Sequence, residues 1–222
     1  MDAFTFLLIR FLPASRSVAW FCRLFSVAAC TIAALVAVRC GGGSPLPVIE
    51  AGPGIVVINS DYGSAGSYSY IPVSGSPLRD IATIGGDALG DFVGNRVAIV
   101  NRFGQDNILF LTRSLQPGLQ FSVGSGSNPY DIVELDAGRF LVSRYGAAAL
   151  WLVNPASGER LAEIDLSAYA DSDGIPEMAF MASAGSPRRF LVALQRLTNF
   201  APSDYSSFVV LNPGNLAVEA ER

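Results

Sequence analysis

Residues 140–166 read FLVSRYGAAALWLVNPASGERLAEIDL. Phe140 to Arg144, Leu150 to Asn154 and Arg160 to Leu166 are short runs of aliphatic, aromatic and β-branched residues. Gly146 breaks the first from the second, and the run from Asn154 through Pro155 to Gly158 breaks the second from the third. Glycine and proline at these intervals, with no sustained 3.6-residue periodicity, predict strands joined by tight turns. Glu177 to Ala182 offers a further strand after a longer insertion.

The same pattern recurs outward from this stretch. Units open at Gly54, Arg96, Arg139 and Arg189, with spacings of 42, 43 and 50 residues. The first unit has strand candidates at Ile55 to Asn59, Ser67 to Val73, Arg79 to Ile84 and Leu89 to Val93. The second has them at Val97 to Asn101, Ile108 to Arg113, Leu119 to Val123 and Asp131 to Leu135. A period of about 40 to 50 residues with four strands per unit is the pattern of β-propeller blades. The fourth unit has Phe190 to Gln195, Ser207 to Leu211 and Leu216 to Ala220 but no outer strand, so the expectation is an all-β propeller of about four blades, the last incomplete. Either Leu46 to Ala51 supplies the missing strand and closes a four-bladed ring, or the chain is part of a larger propeller. Between the first two strands of successive units stand Asp61-Tyr62-Gly63, Arg102-Phe103-Gly104 and Arg144-Tyr145-Gly146, continued by Arg196-Leu197. There glycine permits a tight turn and the aromatic ring can cover it.

On these residues the third unit resembles the YVTN β-propeller repeat. Asn128-Pro129-Tyr130-Asp131 is similar to the strand-opening segment of the same repeats in YncE-like proteins. The resemblance spans residues 54–222 and implies an exported binding or surface protein. It also implies about seven blades, more than the four units found.

Residues 1–40 differ in composition from the rest. They hold all three cysteines, four of the 15 basic residues and one acid, Asp2. Arg10, Arg16 and Arg23 precede the apolar run Leu24 to Val38, which is too short for a spanning helix and fits an export signal. The junction from Val38 through Arg39 and Cys40 to Gly41-Gly42-Gly43-Ser44 resembles a bacterial lipoprotein signal, which implies lipidation at Cys40 and a membrane anchor. Arg39 departs from the small residue usual there; Cys30 is the alternative lipidation site, and an uncleaved N-terminal anchor is another reading. The expected division is therefore a signal at 1–40, a flexible linker at 41–53 and propeller repeats at 54–222. The location implied is the cell envelope, as an outer-membrane lipoprotein facing the periplasm or the exterior. Without the first 40 residues, 11 basic and 18 acidic side chains remain, a net charge of −7 that disfavours nucleic acid as a partner.

The chain has no histidine, and all 15 basic residues are arginine. It contains no nucleophile elbow or phosphate-binding loop motif, so a non-catalytic scaffold is expected. The competing expectation is an enzyme that uses carboxylates or a metal at the propeller mouth. Two groups of residues carry candidate chemistry. Asp171, Asp173 and Glu177 lie in an insertion with four acids in thirteen residues, able either to hold calcium or to cap backbone amides of a structural loop. Arg102, Arg144 and Arg196 occupy one motif position, where they can converge on a small anionic ligand or simply bond their own hairpins. An envelope protein is the other partner expected. Phe140, Tyr145, Trp151, Phe190 and Phe208 read as core.

Overall fold

The computed structural model describes residues 51–199, 201–202 and 205–222, together with the two-residue strand β1, Thr5–Phe6. The export signal, Cys30, Cys40 and all of the possible closing strand except Ala51 lie outside the described residues.

Four four-stranded antiparallel sheets carry the chain. Blade 1 holds β1, β2 (Gly54–Ser60), β3 (Gly66–Pro72) and β4 (Leu78–Ile84). Blade 2 holds β5 (Ala88–Val93), β6 (Arg96–Asn101), β7 (Asn107–Leu111) and β8 (Pro117–Ser122). Blade 3 holds β9 (Pro129–Asp136), β10 (Arg139–Arg144), β11 (Ala149–Val153) and β12 (Arg160–Asp165). After a 3₁₀ turn at Ser167–Tyr169, blade 4 begins with β13 (Met178–Ala184) and β14 (Arg189–Leu194). A small hairpin, β15 (Leu197–Thr198) with β16 (Ala201–Pro202), precedes its last strands, β17 (Ser207–Leu211) and β18 (Val218–Glu221).

The strands fall where the sequence predicts them, but the blades begin one strand earlier than the units. The last strand candidate of each unit pairs forward: Ala88–Val93 pairs with β6 and Pro129–Asp136 with β10. The reason is local. Val93 and Arg96 are joined by Gly94 and Asn95 alone, both at positive φ (54° and 60°), and two such residues make the turn that matches the twist of an antiparallel hairpin. With this phase the fourth blade has four strands, and in the first blade β1 takes the place that the chain before β2 would fill.

Alternation along the central strands buries both faces of blades 2 and 3. Val97 and Ile99 face blade 1, joining Val56, Ile58, Tyr68 and Tyr70 in one core. Ala98, Val100, Ile108 and Phe110 face blade 3, against Phe140, Val142 and Val153. A third core packs Leu141, Leu150 and Leu152 on Phe190, Val192, Val209 and Leu211. Polar ties cross the same junctions. Tyr68 donates its hydroxyl to the Leu115 carbonyl at 2.8 Å, and the buried Asp106 carboxylate accepts the Gly126 and Asn128 amides, each at 2.8 Å. Asp131 accepts the Met181 amide at 2.7 Å. Among the described residues no helix is long and apolar enough to cross a membrane.

Candidate functional site

The turns after β6, β10 and β14 and the loops entering β5, β9 and β13 share one end of the sheets, where they border a cleft of about 1050 Å³. Its walls include Asp87, Arg102, Asp106, Tyr130, Tyr145, Asp173, Glu177 and Gln195. Of the three arginines, only Arg102 lines it.

Strand register explains why the arginines do not converge. Val100 pairs with Ile108 and Ala193 with Phe208, and Ser143 holds the same place in β10. Two residues onward stand Arg102, Tyr145 and Gln195, and these three line the cleft. Arg144 and Arg196 are each one residue away from that position, and a single-residue step in extended chain reverses the side-chain direction. A register shift between Ser143 and Arg144 marks the place in β10. Arg144 instead donates to the Val123 carbonyl at 3.0 Å and lies over the Trp151 ring at 4.4 Å. Arg196 is buried and paired with Glu221. Sequence reasoning missed Gln195; counting from the strand pairs, rather than from the arginine-aromatic motif, would have found it.

Within the cleft Tyr145 donates its hydroxyl to Gln195 Oε1 at 2.9 Å and stacks on Tyr130 at 5.6 Å between centroids. The Arg102 guanidinium lies 4.3 Å from the Tyr130 ring centroid and 3.6 Å from Asp87. Arg102 and Tyr130 also border a second cavity of about 670 Å³ lined by the first strands of blades 2 to 4. Phe103 stands at the rim, 79% exposed, so it does not cover its turn as expected. Of the aromatics read as core, Phe140 and Phe190 are buried, Trp151 is half-buried, Tyr145 faces the cleft and Phe208 is 39% exposed.

The acidic loop does come together. Asp171, Asp173 and Glu177 each offer a carboxylate oxygen within 4.8 Å of the other two. Asx turns shape the approach: Asp171 Oδ1 accepts the Asp173 amide at 3.1 Å, and Asp173 Oδ1 accepts the Ile175 amide at 2.9 Å. Thr198 donates to Asp171 Oδ2 at 3.2 Å, tying the loop to β15. Glu177 is buried and held at a φ of 42°, in the left-handed region, where its Oε2 accepts the Leu197 amide at 3.0 Å. Burial first, and then the neighbouring Asp173 and Asp171, push its carboxyl up to about 7 against the pull of that amide. Burial, with Glu177 nearby, also raises the Tyr145 hydroxyl.

No protein-family profile matches the chain. No curated protein shows significant similarity to it. Solved structures do. A streptogramin B lyase matches at 14% identity with a TM-score of 0.54, over 75% of this chain and 50% of that one. Virginiamycin B lyase from Staphylococcus aureus matches at 12% identity and a TM-score of 0.51, over 76% and 52%. A protein of unknown function from Bacteroides caccae matches at 16% identity and a TM-score of 0.50, over 76% and 56%. The fold is a β-propeller. At these identities the likeness is one of fold, and the chain spans about half the length of the propellers it matches.

Proposed function

We propose that this propeller is a non-catalytic binding module of the cell envelope, an outlying relative of the YVTN-repeat and YncE-like proteins. In this reading it is exported and anchored by lipid at Cys40, with Cys30 the alternative, and it faces the periplasm or the exterior. The observation that carries the binding role is the meeting of Arg102, Tyr145 and Gln195, from three successive blades, in one cleft beside the acidic loop. A propeller brings loops from different blades to one end, where polar groups can fix a ligand that no single repeat could hold. A small anionic group would sit at Arg102, and calcium would sit at Asp171, Asp173 and Glu177, with carbonyl or water oxygens completing the six to eight ligands that this ion takes. An envelope protein docking on the same rim is the partner expected for a scaffold.

The test is a thermal shift with calcium and a panel of small carboxylates and phosphates, run on the native chain, Arg102→Ala and the double variant Asp171→Ala/Asp173→Ala. Binding stabilises the folded state by mass action. The expected result is a calcium shift lost in the acid variant and an anion shift lost in Arg102→Ala; shifts unchanged in both variants would refute the assigned site.

A second reading, an enzyme using carboxylates or a metal at the propeller mouth, is favoured by Glu177. A buried carboxyl that titrates at about 7 is poised to exchange a proton near neutrality. Two of the similar propellers are named as lyases. Turnover of any substrate that falls by orders of magnitude in Glu177→Gln would favour this reading over the first.

A further inference from the structure

Polar groups without partners gather in the cleft. The Arg102 guanidinium donates no hydrogen bond to any described residue: its Nε is buried and unpaired, and the Asp87 carboxylate it faces stands 3.6 Å away, beyond hydrogen-bond reach. Both side chains are largely covered, at 16% and 22% exposed. Among the described residues the Asp87 carboxylate accepts no hydrogen bond either. Gln195 gives its Oε1 to the Tyr145 hydroxyl and keeps its amide N–H groups unpaired, and Asn128 on the same wall has a buried Oδ1 without a donor. A covered guanidinium without hydrogen bonds costs free energy that its contact with the Tyr130 ring offsets only in part, and a ligand carboxylate removes that cost.

Charge decides what else the ligand carries. Arg102 is the sole cation among the described residues lining the cleft, against the carboxyls of Asp87, Asp106, Asp173 and Glu177. Asp106 is occupied by the Gly126 and Asn128 amides, and the remaining three outnumber the guanidinium. They repel a simple anion bound at Arg102, whereas a positive group on the same ligand turns that repulsion into attraction. The opposite charges of Arg102 and Asp87 lie side by side, so the opposite charges of the ligand must be adjacent too. The carboxylate and ammonium of an α-amino acid share one carbon. Phe103, next in the chain after Arg102 and 79% exposed at the rim, offers its ring to an apolar group, and Ile175 and Leu197 add aliphatic surface.

We propose that the cleft binds a free α-amino acid with a large apolar side chain, its carboxylate on Arg102, its ammonium on Asp87 and its side chain against Phe103. The inference rests on the cleft being a binding site, as proposed above, and names the ligand. The guanidinium fork takes both carboxylate oxygens, the Gln195 amide is a further donor, and Asn128 Oδ1 is a second acceptor for the ammonium. A peptide does not fit, because its two charges stand on different residues. Every side chain named lies between Asp87 and Leu197, within the run of blades 2 to 4.

The test is isothermal titration calorimetry on the full chain in detergent with a chelator present. The probes are L-phenylalanine, N-acetyl-L-phenylalanine, L-phenylalaninamide and 3-phenylpropionate. Phenylalanine is expected to bind, and each probe that lacks one of its two charges to bind about tenfold more weakly or worse. Asp87→Asn should weaken phenylalanine by a similar factor and leave 3-phenylpropionate no weaker, whereas Arg102→Ala should abolish both, with melting curves showing that each variant is folded. Phenylalanine that does not bind at millimolar concentration, or that binds Asp87→Asn as it binds the native chain, overturns the proposal. N-acetyl-L-phenylalanine or 3-phenylpropionate binding as tightly as phenylalanine also overturns it and leaves the anion site at Arg102 standing. If neither these probes nor the small carboxylates and phosphates respond to Arg102→Ala, the anion site fails with it.

Discussion

Glu177→Gln isolates one titration. In the folded chain the Glu177 carboxyl holds its proton up to about 7, against 4.5 when unperturbed. Between those values the folded state carries a proton that the unfolded state has released, so stability falls as pH rises and the loss is complete above the folded value. The full shift corresponds to about 3 kcal/mol, and residual solvent access brings the expected range to about 1 to 3 kcal/mol. For a chain of this size that is a fall of roughly 2 to 10 °C in melting temperature between pH 5 and pH 8. Glutamine keeps the shape and an oxygen to accept the Leu197 amide, and it has no charge to bury. The variant should therefore match the native chain at pH 5 and exceed it at pH 8, both measured by thermal unfolding in a chelator. Parallel pH profiles for the two proteins would refute the assignment. Added calcium should restore the native chain at pH 8 and raise Glu177→Gln by less, since that variant keeps only two of the three carboxylates.

Gly94→Ala should cost about 1 to 3 kcal/mol in urea unfolding, because φ there is 54° and a Cβ would strike the Phe140 ring of the next blade. Tyr68→Phe leaves the Leu115 carbonyl without its hydroxyl donor in the core between blades 1 and 2, a loss of about 1 to 2 kcal/mol read by the same titration. Arg144→Ala should lower the melting temperature by removing the bond to Val123 and the stack on Trp151, with anion shifts in the cleft retained. Arg102→Ala should do the opposite, abolishing those shifts with little change in stability.

The strands and their repeat are legible because alternation and turn residues are local properties. Which strands share a blade depends on partners, and there the period alone misleads. A repeat can be cut at any point, and cutting at Arg96 separates that residue from the hairpin that Gly94 and Asn95 build. The two-residue turn was the available phase marker. The acidic trio is legible because its members lie within seven residues on one loop, so chain connectivity brings them together. The arginine position is not, because Arg102 and Arg144 match as letters while the strand pairs set Arg144 one residue short of the place that Arg102 holds, on the other side of the strand. Gln195 carries no motif at all and becomes visible by counting from the strand pairs, which sets it beside its partner Tyr145.

Trp151 lies between two guanidinium groups, Arg144 at 4.4 Å and Arg160 at 4.9 Å from its ring, and donates its indole N–H to Glu163 at 2.9 Å. It packs against the core between blades 2 and 3 and is the sole tryptophan after residue 40. With Trp20 replaced by phenylalanine, intrinsic fluorescence becomes a single-site optical gauge of that junction. Its emission follows the separation of the second and third blades during unfolding, while ligands entering the cleft need a different reporter.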